Sequence, residues 1–244
     1  MNLNKIQVLD YGYVTLRNIA GPTRRPNDEF DGNDVDPANA ARFSFDQADQ
    51  DREREADLKL TGYLLRNRHT TPIEMIEIWL EMKMPIFVAR QFVRHRTVSI
   101  NEISARYVKL EPEFYVPEMK HIGVKGGTSK QGRIVTEDTS EEQAVAQRDF
   151  RTRLKYHNTA SYSRYSQSLE AGIPTELARC FLPVNIYTKW LWNQDLWNMM
   201  HFLRLRMGAH AQFEAREYAY AIHKLLSRVL PHSMELFDNH IREE

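Results

Sequence analysis

Apolar and polar positions alternate most cleanly over residues 76–84, IEIWLEMKM. Ile76, Ile78, Leu80, Met82 and Met84 fall on one face, and Glu77, Trp79, Glu81 and Lys83 on the other. A period of two held this long predicts a strand with one buried face. Residues 183–193, PVNIYTKWLWN, alternate in the same way, with Val184, Ile186, Trp190 and Trp192 on one side. Residues 6–19 carry apolar β-formers around Gly12 and predict a strand or a hairpin. Helical spacing appears elsewhere. Residues 53–66 predict an amphipathic helix, weakened by Gly62. Pro85 suits the first position of a helix that fades near Arg94–Arg96. Ser140 with Gln143, or Thr139 with Glu142, makes a capping box. A long helix should follow to about Ala171, stopped by Gly172 and Pro174. Pro174 can open a short helix through Cys180, and Asp195 can cap another that ends near Met207. A further helix is expected over about 210–229, stopped before Pro231.

The remaining stretches read as loops. Residues 21–37 hold three prolines and many acids, and 123–140 are rich in Gly, Ser and Thr, as in a mobile loop. The polar run TVSINEISARY after Arg96 also favours loop. Strands and helices are interspersed without regular βα spacing, which points to a single α+β domain over 1–244. Its sheet would be antiparallel or mixed, beside long helices.

Composition narrows the class. Of 244 residues, 42% are apolar and 11% aromatic, enough for a sizeable core. Lys+Arg and Asp+Glu are 33 each, so binding of nucleic acid or anionic membrane by bulk charge is disfavoured. Cys180 is the only cysteine, which excludes an intrachain disulfide and a cysteine-rich metal site. The opening MNLNKIQVLDYGYV lacks the apolar segment of a signal peptide, and no apolar run approaches ~18 residues. A cytoplasmic protein is expected.

Charge is zero overall but not locally. From Gly21 to Leu60 there are 11 acids and 6 bases, whereas Glu81 to Leu110 holds 6 bases and 2 acids. Arg94-His95-Arg96 could be a solvated basic turn. Ser99, Asn101, Glu102, Ser104 and Arg106 follow at close spacing, and so dense a polar set suits a ligand. Guanidinium forks match phosphate and carboxylate. Arg179, Arg204 and Arg206 form a second basic group on helices that are otherwise apolar. Arg204 and Arg206 point about 200° apart, so only one faces the core. Each is either a snorkelling surface arginine or a buried cation needing an anion partner or dense hydrogen bonding. His69, in RHTTPIE, is a surface histidine unless neighbours give it a partner. Cys180, in RCFLPV, reads as a small core residue, or as a nucleophile activated by Arg179. No HExxH, P-loop or GxGxxG pattern occurs, and His201/His210 and His232/His240 lack metal-ligand spacing. No metal is expected.

Residues 94–107, RHRTVSINEISARY, resemble the RHRxxSxNExSxRY signature of the flavin-dependent thymidylate synthases. Arg94, His95, Arg96, Ser99, Asn101, Glu102, Ser104, Arg106 and Tyr107 match it. AARFSF, HTTPIE, MPIFVARQ, ARCFLPVNIYT and NMMHFLRLR follow family patterns in order, so the likeness covers nearly the whole chain. Residues 21–37 and 121–138 look like variable insertions.

The resemblance implies a homotetramer with active sites at subunit interfaces. It implies conversion of dUMP to dTMP, with 5,10-methylenetetrahydrofolate as carbon donor and NADPH-reduced FAD as hydride source. It places Ser44, Thr71, Glu74, Arg94, His95, Arg96, Glu102, Asp195, Trp197 and His201 at FAD. It places Gln91, Arg94, Glu102, Ser104, Ala105, Arg106, Arg179 and Arg206 at dUMP. His69 would lie near flavin and folate, and Arg206 would polarise the uracil. Asp195 departs from the Asn common in the family, and a carboxylate cannot donate a hydrogen bond to FAD. Two other classes compete. A nucleic-acid module is disfavoured by zero net charge and scattered aromatics. A cysteine-dependent methyltransferase would act through Cys180.

Overall fold

The computed structural model describes residues 4–22, 32–47, 52–125, 132–135 and 139–242. In chain order the elements are β1 (Lys5–Val8), β2 (Gly12–Ala20), α1 (Asp36–Phe43), α2 (Arg54–Arg66), β3 (Glu77–Pro85) and α3 (Ile86–Phe92). Next come β4 (Ser99–Glu102), β5 (Val124–Lys125), β6 (Arg133–Ile134) and α4 (Glu141–Glu170). The chain then forms α5 (Thr175–Ala178), β7 (Tyr187–Asp195), α6 (Leu196–Met207), α7 (Phe213–Val229) and α8 (Pro231–His240). This is one α+β domain.

Five strands form an antiparallel sheet in the order β1-β2-β3-β7-β4. β3 lies at its centre, and its alternation decides the core. Ile76, Ile78, Leu80, Met82 and Met84 are all fully buried, while Glu77, Trp79, Glu81 and Lys83 are half-exposed. On β7, Thr188, Trp190 and Trp192 continue the buried face, but Val184, before the strand begins, is exposed. Helices α3, α6 and α7 cover that face. Phe92, Trp192 and Phe202 meet edge-on there, at centroid distances of 4.9 Å (Phe92–Phe202) and 4.8 Å (Trp192–Phe202). Gly12 opens β2 where a Cβ would collide with the Tyr218 hydroxyl and the Val8 carbonyl, so the hairpin can pack on α7 only with glycine there.

Several expectations need correction. The run expected as loop after Arg96 holds β4, an edge strand paired to β7 from Ser99↔Asn193 to Glu102↔Trp190. It buries no side-chain face, so no apolar period marks it. Within 123–140, β5 and β6 pair as a short ladder; 126–131 and 136–138 lie outside the described residues, as do 23–31 of the other expected loop. Pro85 ends β3 and caps α3 rather than occupying its first turn. α7 starts at Phe213, later than expected, and ends at Val229 before Pro231 as expected; Pro231 then opens a further helix, α8. Cys180 is exposed, not a core residue.

The Ser140–Gln143 capping box forms as read, with Gln143 N donating to Ser140 Oγ and Ser140 N donating to Gln143 Oε1, both at 3.2 Å. α8 is capped from far away. Asp34 is buried and accepts bonds from Ser233 N at 2.8 Å, Ser233 Oγ at 2.6 Å and His232 N at 3.0 Å. Asp34→Ala leaves these buried donors unpaired and should cost about 2–3 kcal/mol, read as a lower urea midpoint at fixed protein concentration.

Candidate functional site

α3 is short and buries Val88, Ala89 and Phe92. The chain then turns, with His95 N donating to Phe92 O at 3.0 Å. The turn sends His95 inward and leaves Arg94 and Arg96 exposed on either side. The His95 ring packs edge-on against Phe202 of α6 at 4.9 Å, with His201 at 6.3 Å. Its Nε2 accepts from Arg206 Nε at 3.1 Å, and Arg206 Nη2 donates to Gln91 O at 3.3 Å. To accept, His95 Nε2 must be unprotonated. Burial, reinforced by the Arg206 charge and by His201, lowers the His95 pKa from 6.5 to about 4. Burial also lowers the Arg206 pKa. Among the described residues no carboxylate pairs with Arg206. This half-buried cation is held only by neutral acceptors, and its remaining N–H donors have no protein partner among the described residues. Both arginines on α6 are half-buried, and Arg206 is the one held by hydrogen bonds to neighbouring elements.

A second cluster lies on the edge strand. A cleft of about 290 Å³ is lined by Glu102, Ser104, Ala105, Leu110, Arg179 and Thr188, among others. Thr188 Oγ1 donates to Glu102 Oε1 at 2.5 Å. Arg106 N donates to Ser104 Oγ at 3.3 Å. Glu176 on α5 gathers two guanidiniums: its carboxylate pairs loosely with Arg106 at 3.6 Å, and its carbonyl accepts from Arg179 Nε at 3.2 Å. The cleft thus joins the exposed Arg179 cation, a hydroxyl and a fixed carboxylate, with Arg106 tied to its rim through Glu176, which suits a phosphorylated sugar.

A third cleft, of about 330 Å³, is lined by Leu65, Arg66, Arg68, Trp197, His201 and Arg204, with His240 and Ile241. Three arginines beside an indole and an imidazole fit a diphosphate carrying flat rings, so these walls suit FAD. His69 is exposed and stacks on Tyr63 at 5.8 Å. Ser44, Thr71 and Glu74 are exposed, and none of them lines this cleft. Asp195 caps α6: Oδ1 accepts from Asn198 N at 2.9 Å and Oδ2 from Asn198 Nδ2 at 2.8 Å. Both of its oxygens are engaged within the chain, which explains a carboxylate at this position.

One chain therefore unites Gln91, His95 and Arg206 at one point, and Glu102, Ser104, Ala105 and Arg179 at another. It does not bring Ser44, His69, Thr71 or Glu74 to either. Sequence reasoning missed Thr188, Glu176, Gln212 and Glu214. Thr188 alone carried a signal, as a polar residue on the buried parity of β7.

Residues 28–232 match a family model described as thymidylate synthase complementing protein. A flavin-dependent thymidylate synthase of Treponema denticola is 39% identical over 239 residues, covering 97% of this chain and 82% of that one. The chain belongs to the flavin-dependent thymidylate synthase family. A further relative of that name, from Thermotoga neapolitana, is also 39% identical, over 96% of this chain and 94% of its own. A crystal structure of a UMP/dUMP methylase, PolB from Streptomyces cacaoi, bound with 5-Br dUMP, superposes with a TM-score of 0.80 at 27% identity, over 97% and 99% of the two chains. Within this flavin-dependent thymidylate synthase fold, the middle residue of the RHR triplet is an internal acceptor and its two arginines face outward.

The His95 pKa has a measurable consequence. The unfolded histidine takes up its proton near 6.5 and the native one only near 4. The stability that depends on neutral His95 is therefore complete above pH 6.5 and is lost as pH falls toward 4. His95→Gln, uncharged throughout, should flatten the fall in thermal midpoint as pH drops from about 6.5 to about 4 relative to the parent. An identical slope in both proteins would place the proton elsewhere.

Proposed function

We propose that this protein converts dUMP to dTMP, taking the one-carbon unit from 5,10-methylenetetrahydrofolate and two reducing equivalents from NADPH through bound FAD. One proton is taken up from solvent, and tetrahydrofolate and NADP⁺ leave as the other products, so carbon, electrons and protons balance. The observation that carries the reading is Arg206, a half-buried guanidinium with neutral acceptors only, in a chain whose curated relatives are named flavin-dependent thymidylate synthases. Uracil C5 is a poor nucleophile. A fixed cation at the O2/N3 edge favours the electron-rich form of the ring, and it does so most where water is scarce. His95 and the Gln91 carbonyl hold the guanidinium plane, and the donors they leave unused are available to the pyrimidine. Ser104, Arg106 and Arg179 are suited to the phosphate and sugar, and Glu102 is oriented by Thr188.

FAD, when bound, supplies the two-electron reduction. Arg94 and Arg96 would hold it, with Trp197, His201, Ser44, Thr71, Glu74 and Glu102 as further contacts. His69 would stand near the flavin and folate. These positions are split between separate places on one chain, which supports a homotetramer whose active sites take residues from more than one subunit. Two further observations support it. The 30-residue helix α4 buries only Asn158, Ser161 and Tyr165, and it exposes Val145, Phe150 and Tyr156. Ile173, Leu177, Phe181 and Val184 are exposed beside it in sequence. Among the described residues no helix is long and apolar enough to cross a membrane, in keeping with a cytoplasmic enzyme.

The direct test is to purify the protein, measure FAD content and molar mass, and follow NADPH-dependent dTMP formation. A monomer carrying full FAD would overturn the shared site. Arg206→Lys should still bind FAD and be reduced by NADPH, because the lesion is at the nucleotide. It should lose about a hundredfold or more in dTMP formation, ~2.7 kcal/mol of barrier. Parent-level turnover would make Arg206 merely structural. Cys180→Ala should keep its rate within about tenfold, or ~1.4 kcal/mol; complete loss of turnover in folded, FAD-loaded protein would shift the mechanism to the cysteine.

A further inference from the structure

Gln212 and Glu214, at the start of α7, belong to no motif considered above. Glu214 is buried, yet it receives three donors. Tyr115 Oη at 2.9 Å and Arg133 Nη2 at 3.0 Å both donate to Oε1, and Gln212 Nε2 donates to Oε2 at 2.9 Å. Gln212 Oε1 in turn accepts from Gln91 Nε2 at 2.5 Å. Gln91 is the residue whose backbone carbonyl holds Arg206. Among the described residues nothing donates to Gln91 Oε1.

The two ends of an amide differ in only one respect that a partner can read: one accepts and the other donates. Its orientation is therefore fixed by its network. A carboxylate only accepts, so Gln212 must turn its NH2 toward Glu214. Its carbonyl is then left for Gln91, which must answer with its own NH2. The free end of Gln91 is then its carbonyl oxygen. Resting on the nucleotide reading above, we propose that Glu214, acting through Gln212, fixes the Gln91 amide so that it offers an acceptor to the nucleotide and selects a ligand with a donor at that point. The donors dUMP carries are its N3–H and its 3′-hydroxyl. Glu214 and Gln212 are positioning residues; they touch no substrate.

The geometry makes reversal possible. Tyr115 and Arg133 both donate to one oxygen of Glu214, so Glu214→Gln must keep its oxygen there and turn NH2 toward Gln212. Every amide downstream then flips, and Gln91 offers NH2 to the nucleotide, against a donor. Adding Gln212→Glu restores the polarity, because a carboxylate at 212 accepts from both sides. The pair also conserves charge.

The test is the dUMP dissociation constant of FAD-loaded protein, measured by calorimetry, with FAD content and melting temperature as folding controls. Glu214→Gln should weaken dUMP about tenfold or more, the effect of one hydrogen bond reversed. The double variant Glu214→Gln with Gln212→Glu should recover to within about threefold of the parent, on the same scale. Gln212→Ala, at an exposed position, leaves the Gln91 amide able to turn and should give an intermediate loss. A merely structural Glu214 would not be rescued by a second change beside it. Parent protein that binds dUMP, with a double variant no better than Glu214→Gln or a Gln212→Ala unchanged from the parent, overturns the relay alone. Parent protein that fails to bind dUMP overturns the nucleotide reading, and this proposal with it.

Discussion

The antiparallel register between β3 and β7, from Glu77↔Asp195 to Pro85↔Tyr187, is what brings the charged ends of two helices together. α3 leaves the sheet from the Pro85 end and α6 from the Asp195 end, so they cross the buried face in opposite directions. Their far ends, Gln91–His95 and Arg206, meet above a floor of Phe92, Phe202 and Trp192. Side chains alternate with a period of two, so a slip of one residue in either strand would turn Leu80 or Trp192 outward. It would also rotate the origin of each helix. The apolar alternation on β3 and β7 thus does two jobs: it makes the core, and it sets the registry of a polar site that lies outside the sheet.

That site differs from two other partly or fully buried cations in how it is compensated. Arg42 pairs with Asp57, and Lys83 with Glu113. Each of these is neutralised in place, and neither cation remains available. Arg206 is given a neutral imidazole and a carbonyl instead. Such partners orient a guanidinium without cancelling its charge, so its field is still available to a ligand. The cost falls on His95, which is denied its proton by burial and by the cation it supports.

Much of the fold was legible because it rests on local chemistry. The alternation of residues 76–84, the Ser140–Gln143 box and Asp195 as a cap each declare themselves within a few residues, and each is found in place. What was not legible depends on distant partners. β4 is held by main-chain bonds to β7 and needs no side-chain pattern. α8 follows a proline that looked like a stop, and its cap, Asp34, lies 199 residues before Ser233. The site divides in the same way. The arginine-rich signature stands out as dense chemistry within fourteen residues, 94–107. Glu176, Gln212 and Glu214 are single polar residues in ordinary helical sequence. Only the fold places Glu176 between two guanidiniums, or Glu214 behind Gln91.

Cys180 shows how easily composition misleads about chemistry. A lone cysteine beside an arginine, in a protein that alkylates a pyrimidine, invites assignment as the nucleophile. The structure gives it neither the apolar enclosure of a core residue nor a neighbouring base: it is exposed, and Arg179 donates to Glu176 instead. Attack on C6 requires a thiolate held against the ring. The half-buried cation is elsewhere, on α6, held by His95 and the Gln91 carbonyl with donors to spare. The proposed polarisation of the ring by Arg206 needs nothing from the sulfur. The neutral charge balance of the whole chain is consistent with this, because what matters at the site is not how many cations the protein carries but how one of them is held, half-buried, by neutral acceptors.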